Sequence, residues 1–349
     1  MKRRKLQHSP MSVLAMDLGG TKLACALFDG KGKILHRRIV PLEGRSGKAV
    51  GRLITSEIHQ LQRLASEADL KVKAIGISVP GIAHAKTGRV WAPNIPGWRD
   101  FPLRDEIISG LRNRNLRPPH PKLLSAAHQL PVFIDSDRAC CILGESWQGA
   151  AKNCQNAIFL SVGTGIGAGI LAEGRILRGA HDIAGAIGWL ALDRPFKPDY
   201  LDCGCFEYHA SGEGLAKVAR KLYMGKRPKS PRFIGTNSLT AHEVFVANEN
   251  GDSIGKDVLG QAVEFWGMAV ANLVSLFNPE KIIFGGGIFG PAIQFLDDIY
   301  LEAKKWAQPV SIQQVKLEAS QLGSDAALYG AAYSALNAET QNDRVCRKS

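Results

Sequence analysis

No uninterrupted apolar run in the 349 residues approaches the roughly 18 to 20 needed to span a bilayer, because Gly, Asp or Lys breaks every long stretch. The expectation is a protein that is not integral to a membrane. A secretory leader is not expected either. Lys2, Arg3, Arg4 and Lys5 resemble the start of one, but the apolar stretch Met11–Met16 is interrupted by Asp17 and has no cleavage site. Residues 1–11 therefore read as a basic tail before a first strand. An even disulfide ladder is also absent: Cys25, Cys140, Cys141, Cys154, Cys203, Cys205 and Cys346 make an odd set, for which a reducing cytoplasm is the simplest home. Nor is there an aromatic-studded basic stripe. The net charge of +12 is spread over both ends and Arg112–Lys122, so a nucleic-acid partner is not expected, whereas a small anion needs only local charge.

What is present fits a soluble α/β enzyme with many tight turns: 45% hydrophobic residues, 22% charged and 37 glycines. The length points to two domains, each large enough for its own core. Val13–Met16, Leu23–Phe28 and Ile34–Ile39 are short apolar runs separated by Gly19-Gly20 and Asp29–Gly32, the spacing of an antiparallel meander. Between Lys48 and Ala68, Val50, Leu53, Ile54, Ile58, Leu61 and Leu64 recur at three- and four-residue steps, predicting a helix with one buried face. A strand over Lys73–Val79 ends in Pro80-Gly81. A short helix is expected around Leu103–Leu111 and a strand over Pro131–Asp135. The basic, proline-bearing stretch 112–128 reads as an inserted surface segment at a domain boundary.

The pattern then repeats. Phe159–Ile170 followed by Ala172–Ile176 mirrors Leu14–Cys25 followed by Asp29–Ile34: strand, glycine turn, strand, turn, strand. Ser253–Phe277 reads as a long apolar helix, Lys281–Phe284 as a strand, Gly285–Gly287 as a turn opening a helix, and Gly290–Ala307 as another helix. The expected division is 12–130 for a small N-terminal domain and 131–323 for a larger C-terminal one. Helix 324–336 then returns to the first domain, and 337–349 is a polar tail.

Asp17-Leu18-Gly19-Gly20-Thr21-Lys22 places two residues without Cβ, exposed amides, a hydroxyl and an ammonium at a strand end, the parts that hold a polyphosphate. Asp17 in front of that turn can hold Mg2+ through water. Gly163-Thr164-Gly165 is a second such turn, and Gly285-Gly286-Gly287 follows a buried strand. Any one of them alone is just as well a hairpin. Three glycine elements after three strands make a nucleotide the economical common ligand.

These residues resemble the ROK family of sugar kinases and repressors, within the actin-like ATPase superfamily. The likeness includes Asp17–Lys22, Ile77–Gly81, Ala92–Trp98, Gly144-Glu145, Ser161–Gly167, Leu177–Ala180, Ala210–Gly212, the triple glycine, Leu322-Gly323 and Tyr329–Ala332. The resemblance implies two actin-like (ribonuclease H-like) α/β domains flanking a nucleotide and sugar cleft. Family repressors carry a helix-turn-helix domain before the first phosphate turn, whereas only 16 residues precede Asp17 here, so the kinase branch is expected. Its cofactors are ATP and Mg2+, with Asp17, Gly19, Gly20, Thr21, Lys22, Gly163, Thr164, Gly165, Gly285, Gly286 and Gly287 as nucleotide and metal contacts. Asp137, in Asp135–Cys141, inherits the role of general base, and its bland alternative is an N-cap of the following helix. Gly81, Asn94 and Glu207 keep family positions for contacting a sugar or polyol. A homodimer is expected by analogy alone.

The departures lie on the sugar side. Ser136 stands where the family has Asn, Ala186 where it has a sugar-binding Glu, and Trp189 where it has a His that touches sugar and binds zinc. Pro198 and Tyr200 replace two zinc cysteines, so structural zinc is not expected; Cys203, Cys205 and His209 offer a partial replacement set, against which they read as reduced thiols beside a polar His. Packing by Trp189, Phe206 and Tyr208 is expected to hold the loop, with Trp189 serving as core filler or as a stacking platform for the sugar. Two functions follow: a kinase whose acceptor differs from glucose, or a nucleotide-binding sensor without turnover.

Overall fold

Alternation along the first strands sets up two layers. The computed structural model describes residues 11–112, 130–225 and 239–337. In β1 (Met11–Leu18) and β2 (Lys22–Asp29), Leu14, Met16, Leu18, Leu23, Cys25 and Leu27 face one side of the sheet, and Val13, Ala15, Ala24, Ala26 and Phe28 face the other. The larger set packs against α1 (Gly47–Glu67), whose Val50, Ile54, Ile58 and Leu61 are fully buried. Each of those side chains contributes about 1.5 to 3 kcal/mol by leaving water. The small, Ala-rich face receives α3 (Asp137–Gln148) and α10 (Ala326–Leu336). Those two helices approach so closely that a methyl group on Gly330 would overlap the Cys140 carbonyl oxygen.

The sheet also includes β3 (Ile34–Pro41), β4 (Lys71–Val79) and β7 (Val132–Ser136), in the order β3-β2-β1-β4-β7. The first three strands are antiparallel, and β1, β4 and β7 are parallel. A hairpin of β5 (Ile82–His84) and β6 (Arg89–Trp91) follows β4, and α2 (Leu103–Arg112) completes this unit.

The second unit repeats the plan. Its sheet runs β10 (Arg175–Ile176), β9 (Ile166–Ala172), β8 (Ala157–Val162), β11 (Lys281–Gly285), β12 (Lys316–Ala319), again antiparallel in the first three and parallel in the last three. The strand order matches the duplication seen in the sequence. Its core centres on α7 (Ser253–Phe277), with Trp266 fully buried and donating through its indole N–H to the Ala210 carbonyl at 3.1 Å. Around α7 lie α4 (Cys205–Ala210), α5 (Gly212–Gly225), α6 (Ala241–Glu249), α8 (Leu296–Trp306) and α9 (Pro309–Gln314).

The units divide differently from the expected 130/131 boundary. One takes the chain to Gly149 together with Gly179–Ile183 and Asp325 onward, and the other takes Ala150–Arg178 and Ala184–Ser324. The reason is β7, which completes the first sheet by pairing with β4 and carries α3 with it. The segment Gly290–Ala307 is not one helix: Pro291–Phe295 forms a 3-10 turn before α8 starts. The basic tail before Met11, the insertion from 113 to 128 and the polar tail after Asn337 lie outside the described residues, as does Cys346; the other six cysteines are free thiols. Among the described residues, no helix is long and apolar enough to cross a membrane.

Candidate active site

In the first unit, three parallel strands end side by side. Register places Asp17 beside Ser78 and Ser78 beside Asp135, with Ser136 beside Val79. Ser78 Oγ donates to Asp17 Oδ1 at 2.7 Å. Burial nevertheless raises the Asp17 pKa to about 6; the Ser78 bond opposes the rise and the charge of Asp137 adds to it. The two carboxylates therefore repel one another across the same strand ends.

Asp137 is the first residue of α3, and the helix is capped by Ser136 instead, whose hydroxyl accepts from Ala139 N at 3.3 Å. The N-cap alternative for Asp137 does not hold, and the buried Ser136 hydroxyl is engaged locally. The Asp137 carboxylate accepts from the Arg138 amide at 2.8 Å, and burial raises its pKa against the lowering effect of Arg138. Arg138 in turn reaches the Gly81 carbonyl at 3.2 Å.

The turn between β1 and β2 closes through Gly19 N to Lys22 O at 2.9 Å, leaving Gly20, Thr21 and Lys22 exposed. Asn94, also exposed, lies beside Gly20: a methyl group built there would sit 3.7 Å from Asn94 Cβ. Asp17, Gly19, Gly20, Asn94, Gly81, Ser136 and Asp137 thus gather at one end of one sheet.

In the second unit, the turn after β8 closes through Gly163 N to Gly165 O at 2.9 Å. Ser161 is in register with Gly285, so the Gly163–Gly165 and Gly285–Gly287 turns emerge from adjacent parallel strands. Gly286 has φ +89° and no room for a side chain against the Val162 carbonyl, whereas methyl groups at Gly163 or Gly287 would meet nothing within 4 Å. The triple glycine opens only a 3-10 turn, Gly287–Phe289, not a helix. A third element joins these turns without having been picked out as a site in the sequence: Gly212 N, at the start of α5, donates to Gly163 O at 2.8 Å. The Ala210–Gly212 motif was the available signal.

Glu207, on α4, also reaches this turn. Its Oε2 accepts from Ile166 N at 2.6 Å, and a methyl group on Gly165 would come within 2.7 Å of the same oxygen. Burial raises its pKa, and the Ile166 amide opposes the rise. Trp189 is not core filler, being 58% exposed, and its neighbour Ala186 is exposed too. Phe206 and Tyr208 do pack into the core. Two cavities of about 500 and 560 Å³ lie along α7 in this unit, lined in part by Met268, Asn272 and Trp306 and by Val263, Glu264 and Leu301, and neither contains any of these residues.

Residues 13–338 match the ROK family. The chain belongs to the ROK family. It is 32% identical over 328 residues to a glucokinase of Halalkalibacterium halodurans, covering 91% of this chain and 92% of that protein. It is 29% identical over 329 residues to a xylose repressor of Caldicellulosiruptor bescii, covering 91% of this chain and 76% of the repressor. The crystal structure of a ROK family glucokinase from Streptomyces griseus in complex with glucose and AMPPNP matches with a TM-score of 0.69 at 27% identity, over 92% of this chain and 98% of that one. The fold is the actin-like ATPase fold of ROK kinases.

The donor sets of this ROK chain separate magnesium from zinc. Asp17 and Asp137 offer hard oxygens, which suit Mg2+. Among the described residues no three His, Cys, Asp or Glu side chains are grouped to hold a metal, so one carboxylate, water and phosphate oxygens would have to complete a magnesium shell. Zinc does not fit: His209 Nε2 lies 2.8 Å from the Tyr200 hydroxyl, and Cys203 is turned to the Gly204 carbonyl.

Asp17→Asn has a predicted sign. The folded pKa of about 6 lies above the ordinary 3.8, so the ionised group destabilises the fold fully above pH 6 and not at all once both states are protonated below 3.8. Asn still accepts from Ser78. Its melting temperature should exceed that of the parent at pH 8, by an amount equivalent to about 1 to 2 kcal/mol, and the two should converge as pH falls towards 4.

Proposed function

We propose that the chain is an ATP- and magnesium-dependent kinase that phosphorylates a hydroxyl of a sugar or sugar-like polyol, with Asp137 as general base. The observation that carries this reading is Asp137 itself. It sits at a strand-to-helix junction, relieved of capping by Ser136, with burial raising its proton affinity. A carboxylate tuned in that way takes the hydroxyl proton as the oxygen attacks the γ-phosphorus, and the bond to the β–γ bridging oxygen breaks to release ADP. MgATP, when bound, supplies the phosphoryl group and neutralises the charge developing on it. Thr164, Gly165, Gly286 and Gly287 offer backbone amides to the nucleotide, while the Gly163 amide closes its own turn. Gly20, Thr21 and Lys22, in the turn that the Gly19 amide closes, offer theirs to the phosphates, with Asp17 ordering the metal's water.

Gly81, Asn94, Ser136, Glu207 and Trp189 are the acceptor contacts in this reading. The relatives named glucokinase support a sugar acceptor, and Ala186 moves the preference away from glucose. An absent carboxylate removes charged hydrogen bonds worth about 1.5 to 3 kcal/mol each. The exposed Trp189 indole beside Ala186 presents an apolar face, suited to the C–H face of a ring or an apolar substituent. The same loss favours the second reading, a nucleotide-binding sensor without turnover. ADP release measured across hexoses, amino sugars, anhydro sugars, alkyl glycosides and polyols decides between them. The kinase reading expects turnover on one class, with kcat/KM for glucose at least about tenfold lower. Nucleotide binding with no ADP release on any acceptor supports the sensor.

A further inference from the structure

The loop entering α4 is tied by one chain of hydrogen bonds. Lys197 Nζ donates to Asp193 Oδ2 at 2.6 Å, and the Tyr200 hydroxyl donates to the same oxygen at 2.7 Å. Tyr200 Oη lies 2.8 Å from His209 Nε2, and the His209 ring stacks on Phe265 of α7 with centroids 4.2 Å apart and planes 7° from parallel. The direction of the chain follows from proton counting. Tyr200 has one hydroxyl proton and gives it to the carboxylate, so towards His209 it can only accept, and Nε2 must carry the ring proton. Nδ1 is then a bare lone pair, in keeping with its being buried with no partner among the described residues. An imidazolium there would bury a charge and an N–H with nothing to accept it. Burial, with Lys197 adding to it, lowers the His209 pKa to about 4, and the bonds from Lys197 and Tyr200 hold Asp193 down at about 2.

His209 and Glu207 are two residues apart on α4, about 200° around a helix, so fixing the His209 side aims the Glu207 side. Glu207 points at Ile166 N and the Gly163–Gly165 turn. We propose that the Lys197–Asp193–Tyr200–His209 chain is a metal-free clamp on α4, doing by hydrogen bonds and ring stacking what a bound zinc would do, and that Tyr200 and His209 are positioning residues for the Glu207 carboxylate. Only its effect on turnover rests on the kinase reading.

The clamp itself is tested by 15N NMR of the histidine rings together with metal analysis. At pH 7 His209 should show a protonated Nε2 and a bare Nδ1, and neither equimolar Zn2+ nor EDTA should move those signals or the melting temperature. An Nδ1–H tautomer, or about one zinc per purified chain, overturns it. Its role is tested by Tyr200→Phe, which keeps the ring and removes both hydrogen bonds. Acceptor KM should rise about tenfold with kcat within about twofold and nucleotide affinity unchanged. His209→Gln, which can donate from a similar place, should lie closer to the parent than His209→Ala. A Tyr200→Phe enzyme with the parent's KM contradicts the positioning role. If no acceptor is turned over at all, the kinase reading fails, and the tautomer and metal measurements still decide the clamp.

Discussion

Asp137→Asn is expected to lower kcat on the accepted sugar by about 10²- to 10⁴-fold while leaving nucleotide affinity within about twofold. The substitution keeps volume and one accepting oxygen, so the 2.8 Å bond from the Arg138 amide survives. Ser136 still caps α3, so the helix is not undermined. What disappears is the ability to take a proton. Melting curves of the variant separate loss of chemistry from loss of structure. A base whose pKa is raised by burial also predicts that parental activity falls as pH drops through that pKa, and that the residual activity of the variant lacks this limb. Parental turnover in Asp137→Asn would remove Asp137 from the mechanism.

The paired variants Gly286→Ala and Gly287→Ala should fail in different ways. Gly286 adopts φ +89° and has no room against Val162, so an added methyl group combines a left-handed backbone cost of about 1 to 2 kcal/mol with a backbone overlap. A total loss of about 3 kcal/mol of stability is expected, read from denaturant unfolding. Gly287 has nothing within 4 Å of such a methyl group, and its substitution should change stability by no more than about 0.5 kcal/mol. If the turn carries phosphates, Gly287→Ala should still weaken nucleotide binding about tenfold or more, because the methyl group stands where the ligand approaches. Unchanged affinity in a well-folded Gly287→Ala protein would leave the triple glycine with a purely structural role.

How far the sequence could be read depended on the range of the interactions involved. The repeated strand–turn–strand pattern at 14–34 and 159–176 is local, and it anticipates the common strand order of the two sheets. The bounds of α7 were legible because Asp252 caps one end with its side chain and Asn278 turns left-handed at the other. β7 was recognisable as a strand, yet its partner β4 lies far back in the chain, and no local pattern shows which sheet it completes. Trp189 illustrates a different limit: an indole in a loop carries no periodicity from which to read burial, and this one is exposed. The Asp193–Tyr200–His209 chain escaped because each residue is unremarkable alone and only the folded loop brings them together. The N-cap of α3 shows how near the limit lies, since Ser136 and Asp137 are adjacent and both suited to the role.

Hydrogen–deuterium exchange of the intact protein, with a non-hydrolysable ATP analogue and Mg2+ and then with the accepted sugar added, tests the central claim most directly. The kinase account predicts that the nucleotide slows exchange in peptides spanning 163–165 and 285–287, and that the sugar then slows it around 135–138. Exchange unchanged at both glycine turns with the nucleotide bound, or sugar protection that leaves 135–138 untouched, would contradict it.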